Sequence, residues 1–72
     1  MDRVTVALGW AEQYASNGRT MQSSALVALA DARHCAARGD GEGAIRRALD
    51  SLCYSLGWYD ERVKIVASWV RQ

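Results

Sequence analysis

His34 and Cys35 stand side by side, the one place in the chain where an imidazole adjoins a thiol. A base beside a nucleophile points to thiol chemistry, but neighbours on a helix project about 100° apart, so this imidazole cannot easily take that thiol's proton. Cys35 therefore reads as a small buried side chain and His34 as a solvated one near Asp31. The second cysteine is Cys53. If the two segments form a hairpin turning near residue 41, the cysteines are offset by about 9 Å, beyond the roughly 7 Å between α-carbons that a disulfide spans. Free thiols are expected. Two cysteines and one histidine, with no CxxC and no HxxxH, fall short of a structural zinc set, so neither a metal nor a cofactor is expected.

The stretch Gly39-Asp40-Gly41-Glu42-Gly43 has the GxGxG spacing of phosphate-binding loops. Such loops follow a strand and, in the Walker form, carry a lysine, whereas Asp40 and Glu42 would repel an anion. It reads as a connection between helices. No constellation of acid, base, metal ligand or phosphate cradle emerges, and the chain is expected to be non-enzymatic.

The elements that position these residues follow from glycine punctuation, since proline is absent. The first segment runs from Asp2, a candidate N-cap, to an Asn17-Gly18 stop. Val4, Ala7, Leu8, Ala11, Tyr14 and Ala15 form its apolar stripe, Val6 and Trp10 widen it, and Thr5, Glu12 and Ser16 face away. Thr20 caps a second helix to Arg38, with Met21, Ala25, Ala28, Ala32, Cys35 and Ala36 on one face. Leu26, Ala30 and Ala37 add a weaker strip, which predicts a central helix touched on two sides. The third helix, about Gly43 to Leu56, carries Ile45, Ala48, Leu49, Leu52 and Leu56 on one face and stops at Gly57. Asp60 caps a fourth, with Tyr59, Val63, Val66 and Val70 on one face, Ile65 and Trp69 beside them, and Arg62 inside the arc. Strand is the competing assignment for residues 63–70 and, more briefly, for Val4-Thr5-Val6. The predicted fold class is all-α, a small bundle of three to four short helices with a central helical hairpin at about residues 20–56, in one domain spanning residues 1–72.

The run from Ala28 through Gly39-Asp40 to Ala44 and Ala48 resembles one tetratricopeptide hairpin, with small residues on the first helix, Gly-Asp at the turn and alanine on the second. It departs from that pattern where Ala48 replaces a large aromatic residue and where no proline closes the second helix. The positions of Cys35, Gly39, Ile45 and Ala48 also resemble a DNA-binding helix-turn-helix, which implies a small transcriptional regulator contacting DNA through Arg46 and Arg47. In that alternative the recognition helix opens on Gly41, Glu42 and Gly43, a poor start beside phosphates.

Composition carries the rest. Nine basic and eight acidic residues give a net charge of +1, which argues against a phosphate-dominated nucleic-acid binder and against a basic membrane-surface helix. No apolar run approaches bilayer length and Met1-Asp2-Arg3 leads into no signal-peptide core, so a cytoplasmic location is expected. Three tryptophans, three tyrosines and eight arginines against one lysine match the residue types enriched at binding hot spots, although Trp10, Trp58 and Trp69 equally suit the core of a small domain. Surface scaling gives about 4,400 Å² for the folded chain; burial then returns on the order of 105 kcal/mol against roughly 108 kcal/mol of ordering entropy. The balance near zero predicts a homodimer, formed through the wide apolar stripes of the first and fourth segments.

These features point to a small protein-protein interaction module that adapts or inhibits a larger protein, in the style of a bacterial accessory factor or a phage-type inhibitor of a host protein. The partner-facing residues are expected to be Trp10 and Tyr14, which make one aromatic ridge, Arg62 and Trp69 on the fourth segment, and Arg46, Arg47 and Tyr54 on the polar side of the third. Arg62 must find water, an internal acid such as Asp50 or Glu12, or a partner, because its burial alone would cost several kcal/mol.

Overall fold

The backbone N–H of Thr5 donates to the Asp2 carboxylate at 3.0 Å, so the first helix starts where a capping residue precedes its apolar stripe. The computed structural model describes residues 2–16 and 22–70, and among these the chain forms α1 (Arg3–Ala15), α2 (Gln22–Ala37), α3 (Gly41–Leu56) and α4 (Glu61–Val70), with no strand. Both segments in which strand competed, at Val4-Thr5-Val6 and at residues 63–70, are helical. The Asn17-Gly18 stop, the Thr20 cap and Met21 lie outside the described residues.

Asp40 accepts from the backbone N–H of Gly43 at 2.9 Å, which starts α3 at Gly41, two residues earlier than the glycine spacing implies. Gly57 ends it with φ 86°, a left-handed conformation that favours glycine, and its N–H returns to the carbonyl of Cys53. Asp60 then opens α4: its carbonyl accepts from the N–H of Lys64 and its carboxylate from the N–H of Arg62 at 2.8 Å. The expected caps at Asp2 and Asp60 and the stop at Gly57 all hold.

The central helix is α3, not α2. It packs against the other three, most extensively α2, while α2 and α4 do not touch. α2 does meet two helices, α3 and α1, but not through Leu26, Ala30 and Ala37, which are exposed; its buried side is Ala25, Ala28, Leu29 and Ala32 alone. The deepest line of α3 also differs from its expected stripe, because Ala44, Ser51 and Ser55 are buried with Ala48 and Leu52 while Ile45, Leu49 and Leu56 flank them. The Ser51 hydroxyl donates to the Ala25 carbonyl of α2 at 2.8 Å, and the Ser55 hydroxyl returns to its own helix at the Ser51 carbonyl. Satisfied in this way, a serine is as compact as an alanine and lets α2 approach closely. The contact at Ala25 and Ser51 lies far from the turn at residues 38–40, so α2 and α3 form an antiparallel hairpin in contact along its length.

Among the described residues, nine of the thirteen buried apolar side chains are alanines, and only Leu29, Leu52, Val63 and Val66 are larger. Helices this close leave little room for big side chains, which collect at the edges or outside. The accessible surface is 4543 Å², near the value of about 4,400 Å² that mass scaling gives.

Candidate interaction surface

The seven expected partner-facing residues separate into two groups. Trp10, Tyr14, Arg62 and Trp69 meet along the seam between α1 and α4. The rings of Trp10 and Trp69 stack with centroids 6.2 Å apart and planes 9° from parallel, and the Arg3 guanidinium lies 5.5 Å from the Trp69 ring. One end of the seam is closed by Arg62. Its guanidinium makes a two-point contact with Asp60, at 3.1 and 3.0 Å, donates to the Tyr14 hydroxyl at 2.9 Å and lies 4.5 Å from the Tyr14 ring.

Arg62 therefore finds an internal acid, but neither Asp50 nor Glu12. Glu12 is taken by Arg33 at 2.7 Å and Asp50 by Arg47 at 3.1 Å. The hydrogen bonds from Arg62 hold the Asp60 carboxyl below its ordinary pKa, with help from the backbone N–H groups at the start of α4, and the same contact raises that of Arg62. Trp10, Tyr14 and Trp69 pack half-buried against the core. The apolar stripes of α1 and α4, expected to meet a second copy, are thus largely used inside the chain.

Arg46, Arg47 and Tyr54 are exposed on α3. Arg47 and Tyr54 line a shallow cleft of about 340 Å³ between α2 and α3, across from Val27 and Asp31. Arg46 and Arg47 also border a second cleft, of about 520 Å³, with Cys35, Arg38, Asp40 and Asp50. Three arginines are offset there by two aspartates, which is no single-sign field for phosphates.

The most exposed aromatic residues are Tyr59 and Trp58. Tyr59, expected on the apolar face of α4, is 91% exposed, and Trp58, which composition equally assigned to the core, is 66% exposed. The reason is local: Gly57 ends α3 and the new helix starts only at Glu61, so both rings sit on the turn between the elements. Both ends of that turn are fixed, by the Gly57 N–H on Cys53 and by Asp60 at the head of α4. Glycine shortly before a capping aspartate was the signal available in the sequence for a turn here.

The cysteines are unbridged and half-buried. Burial, with the Asp50 charge, pushes the Cys53 thiol up, away from the thiolate that nucleophilic chemistry needs. Among the described residues no group of three or more His, Cys, Asp or Glu side chains is placed to hold a metal ion, and no helix is long and apolar enough to cross a membrane. No family model matches this chain, and neither the curated proteins nor the solved structures contain a significant match to it.

Proposed function

We propose that the protein is a non-enzymatic protein-protein interaction module, a stoichiometric adaptor or inhibitor of a larger protein, and that it works as a homodimer. The observation that carries the first part is the Trp58-Tyr59 pair. Two adjacent large aromatic rings held in water on a turn fixed at both ends are pre-organised for a partner, since little ordering remains to be done on binding and each offers large contact area. Tyr54, on the last turns of α3, is also exposed and lines the cleft between α2 and α3.

The alternative, a helix-turn-helix regulator, draws less support. Its two helices cross at roughly 90–120° around a short turn, whereas α2 and α3 stay in contact from the turn to the bond between Ser51 and Ala25. Arg47, one of its two contact residues, is paired with Asp50.

The test is affinity capture from a lysate of the cell that makes the protein, run in parallel with the wild-type chain and with Trp58→Ala/Tyr59→Ser. A single protein retained at near-equal amounts by the wild type and lost with the double variant supports the reading. Capture of nucleic acid alone, weakening with salt and lost on changing Arg46 and Arg47 to alanine, would replace it with the regulator.

A further inference from the structure

We propose that the cleft between α2 and α3 takes an arginine side chain of the partner protein. The proposal rests on the interaction-module reading above and names the partner's chemistry at one face. Of the eight acidic side chains, Asp2 and Asp40 cap helices, and Glu12, Asp50, Asp60 and Glu61 each hold an arginine or a lysine. Glu42 lies in the first turn of α3, where the helix dipole favours a negative charge. Asp31 has no such role. It is exposed in the middle of α2, takes no hydrogen bond or ion pair among the described residues, and lines the cleft. Aspartate is a poor helix former, so helix formation does not account for it either.

The register of the hairpin places its neighbours. The bond between Ser51 and Ala25 and the turn at residues 38–40 put Tyr54 level with Ser23, Asp50 with Val27 and Arg47 with Asp31. Residues four apart on a helix lie about 6 Å from each other. Asp31 on α2 and Tyr54 on α3 are therefore each one turn from the level of Val27 and Asp50, on opposite sides of it. Two carboxylates, an aromatic ring and an aliphatic side chain gather around the middle of a cleft of about 340 Å³.

Charge selects the occupant. The charged side chains on the lining are Asp31, Asp50 and Arg47, and Arg47 is held by Asp50 at 3.1 Å, so the cleft keeps one uncompensated negative charge. Arg47 bonds only one of the two Asp50 oxygens, Oδ2. A guanidinium laid across the middle of the cleft meets Asp31 on one side and the second oxygen of Asp50 on the other, as its forked donors require. Its flat face suits the Tyr54 ring, and its methylene stem covers Val27, which is 64% exposed. A lysine brings only a point charge to these groups, and an anion meets net repulsion.

The experiment is an NMR titration of the isotope-labelled full chain with the capped peptide acetyl-Ala-Arg-Ala-amide, and with counterparts carrying lysine or uncharged citrulline in place of the arginine. The arginine peptide is expected to move the amide signals of Val27, Asp31, Asp50 and Tyr54 saturably. Citrulline is expected to bind at least about tenfold more weakly, lysine more weakly than arginine, and the movement to be lost in Asp31→Asn, whose cooperative melt establishes that it is folded. No saturable movement at the cleft, citrulline binding as well as arginine, or binding undiminished in Asp31→Asn overturns the proposal. Movement of the same signals on concentrating the protein alone, abolished by Arg46→Ala, makes the occupant a second copy and overturns the assignment to a partner protein. Asp31→Asn is also run in the lysate capture. Capture kept by Asp31→Asn but lost with Trp58→Ala/Tyr59→Ser overturns the cleft and leaves the interaction module standing, whereas a wild type that retains no protein overturns the module and this partner with it.

Discussion

The guanidinium of Arg62 joins α4 to α1 through Tyr14, donating to its hydroxyl at 2.9 Å while lying 4.5 Å from its ring centroid. Since the same guanidinium holds Asp60, one side chain links the start of α4 to the far end of α1. The expected consequence is non-additivity. Tyr14→Phe removes the acceptor but keeps the ring, and Arg62→Met removes both contacts, so both variants melt below the wild type, Arg62→Met lower. The double variant should melt close to Arg62→Met alone. Calorimetry of the four proteins checks this, and additive shifts would mean that the pair is not coupled.

Acid should weaken the same link. The folded-state pKa of Asp60 is depressed, chiefly by the hydrogen bonds from Arg62, so its contribution is present above the unfolded carboxyl pKa and is lost as pH falls through the folded one. Melting temperature is therefore expected to decline below about pH 5, and Asp60→Asn should lower it at neutral pH while flattening that decline. Asp2 is depressed by its bonds to Thr5 and acts in the same window, so Asp2→Asn serves as the comparison.

The core makes two opposite substitutions costly. Leu52 is fully buried on α3 among alanines that cannot close a void, and Leu52→Ala is expected to destabilise by about 2–5 kcal/mol. Ala48 lies one turn earlier, also fully buried, and Ala48→Leu should cost about 1–3 kcal/mol by forcing the helices apart. Urea titrations measure both, and a neutral Ala48→Leu would show that the α3 interfaces have slack.

The start of α3 gives a prediction of sign. In a helix interior, glycine to alanine normally stabilises by about 1 kcal/mol. At Gly43, however, a methyl group would collide with the Asp40 carboxylate that caps the helix. Gly43→Ala is thus expected to destabilise, and Asp40→Ala should cost about 1 kcal/mol. In the background of Asp40→Ala, the change at Gly43 should turn stabilising. Thermal melts of the three variants beside the wild type read the signs directly.

Much of this fold is legible in the sequence because the determinants are local. Asp2 and Asp60 cap helices, Gly57 stops one, and the 3.6-residue spacing of α1 from Val4 to Ala15 marks its inner face. The cysteine separation follows from hairpin arithmetic, and both thiols are free. Charged residues are harder to assign. Arg62 is visible as a misplaced charge in an apolar arc, but Asp60 rather than Asp50 or Glu12 takes it, because those two are occupied by Arg47 and Arg33.

The tripeptide Leu-Gly-Trp occurs twice and separates what sequence determines from what tertiary structure decides. Leu8-Gly9-Trp10 lies within α1, where Ala7, Ala11 and Ala15 are fully buried and the helix runs through the glycine, placing Trp10 against Trp69. Leu56-Gly57-Trp58 ends α3, because Gly57 turns left-handed and Asp60 starts another helix, leaving Trp58 in solvent. Three identical residues permit either conformation, since glycine tolerates both backbone regions. Sequence by itself determined the four helical segments, the caps at Asp2 and Asp60 and the alanine content that draws the helices together. Which helix stands at the centre, which serines are buried and which aromatic rings stay outside were decided only in the packed bundle, where burial on one surface depends on what every other surface has already covered.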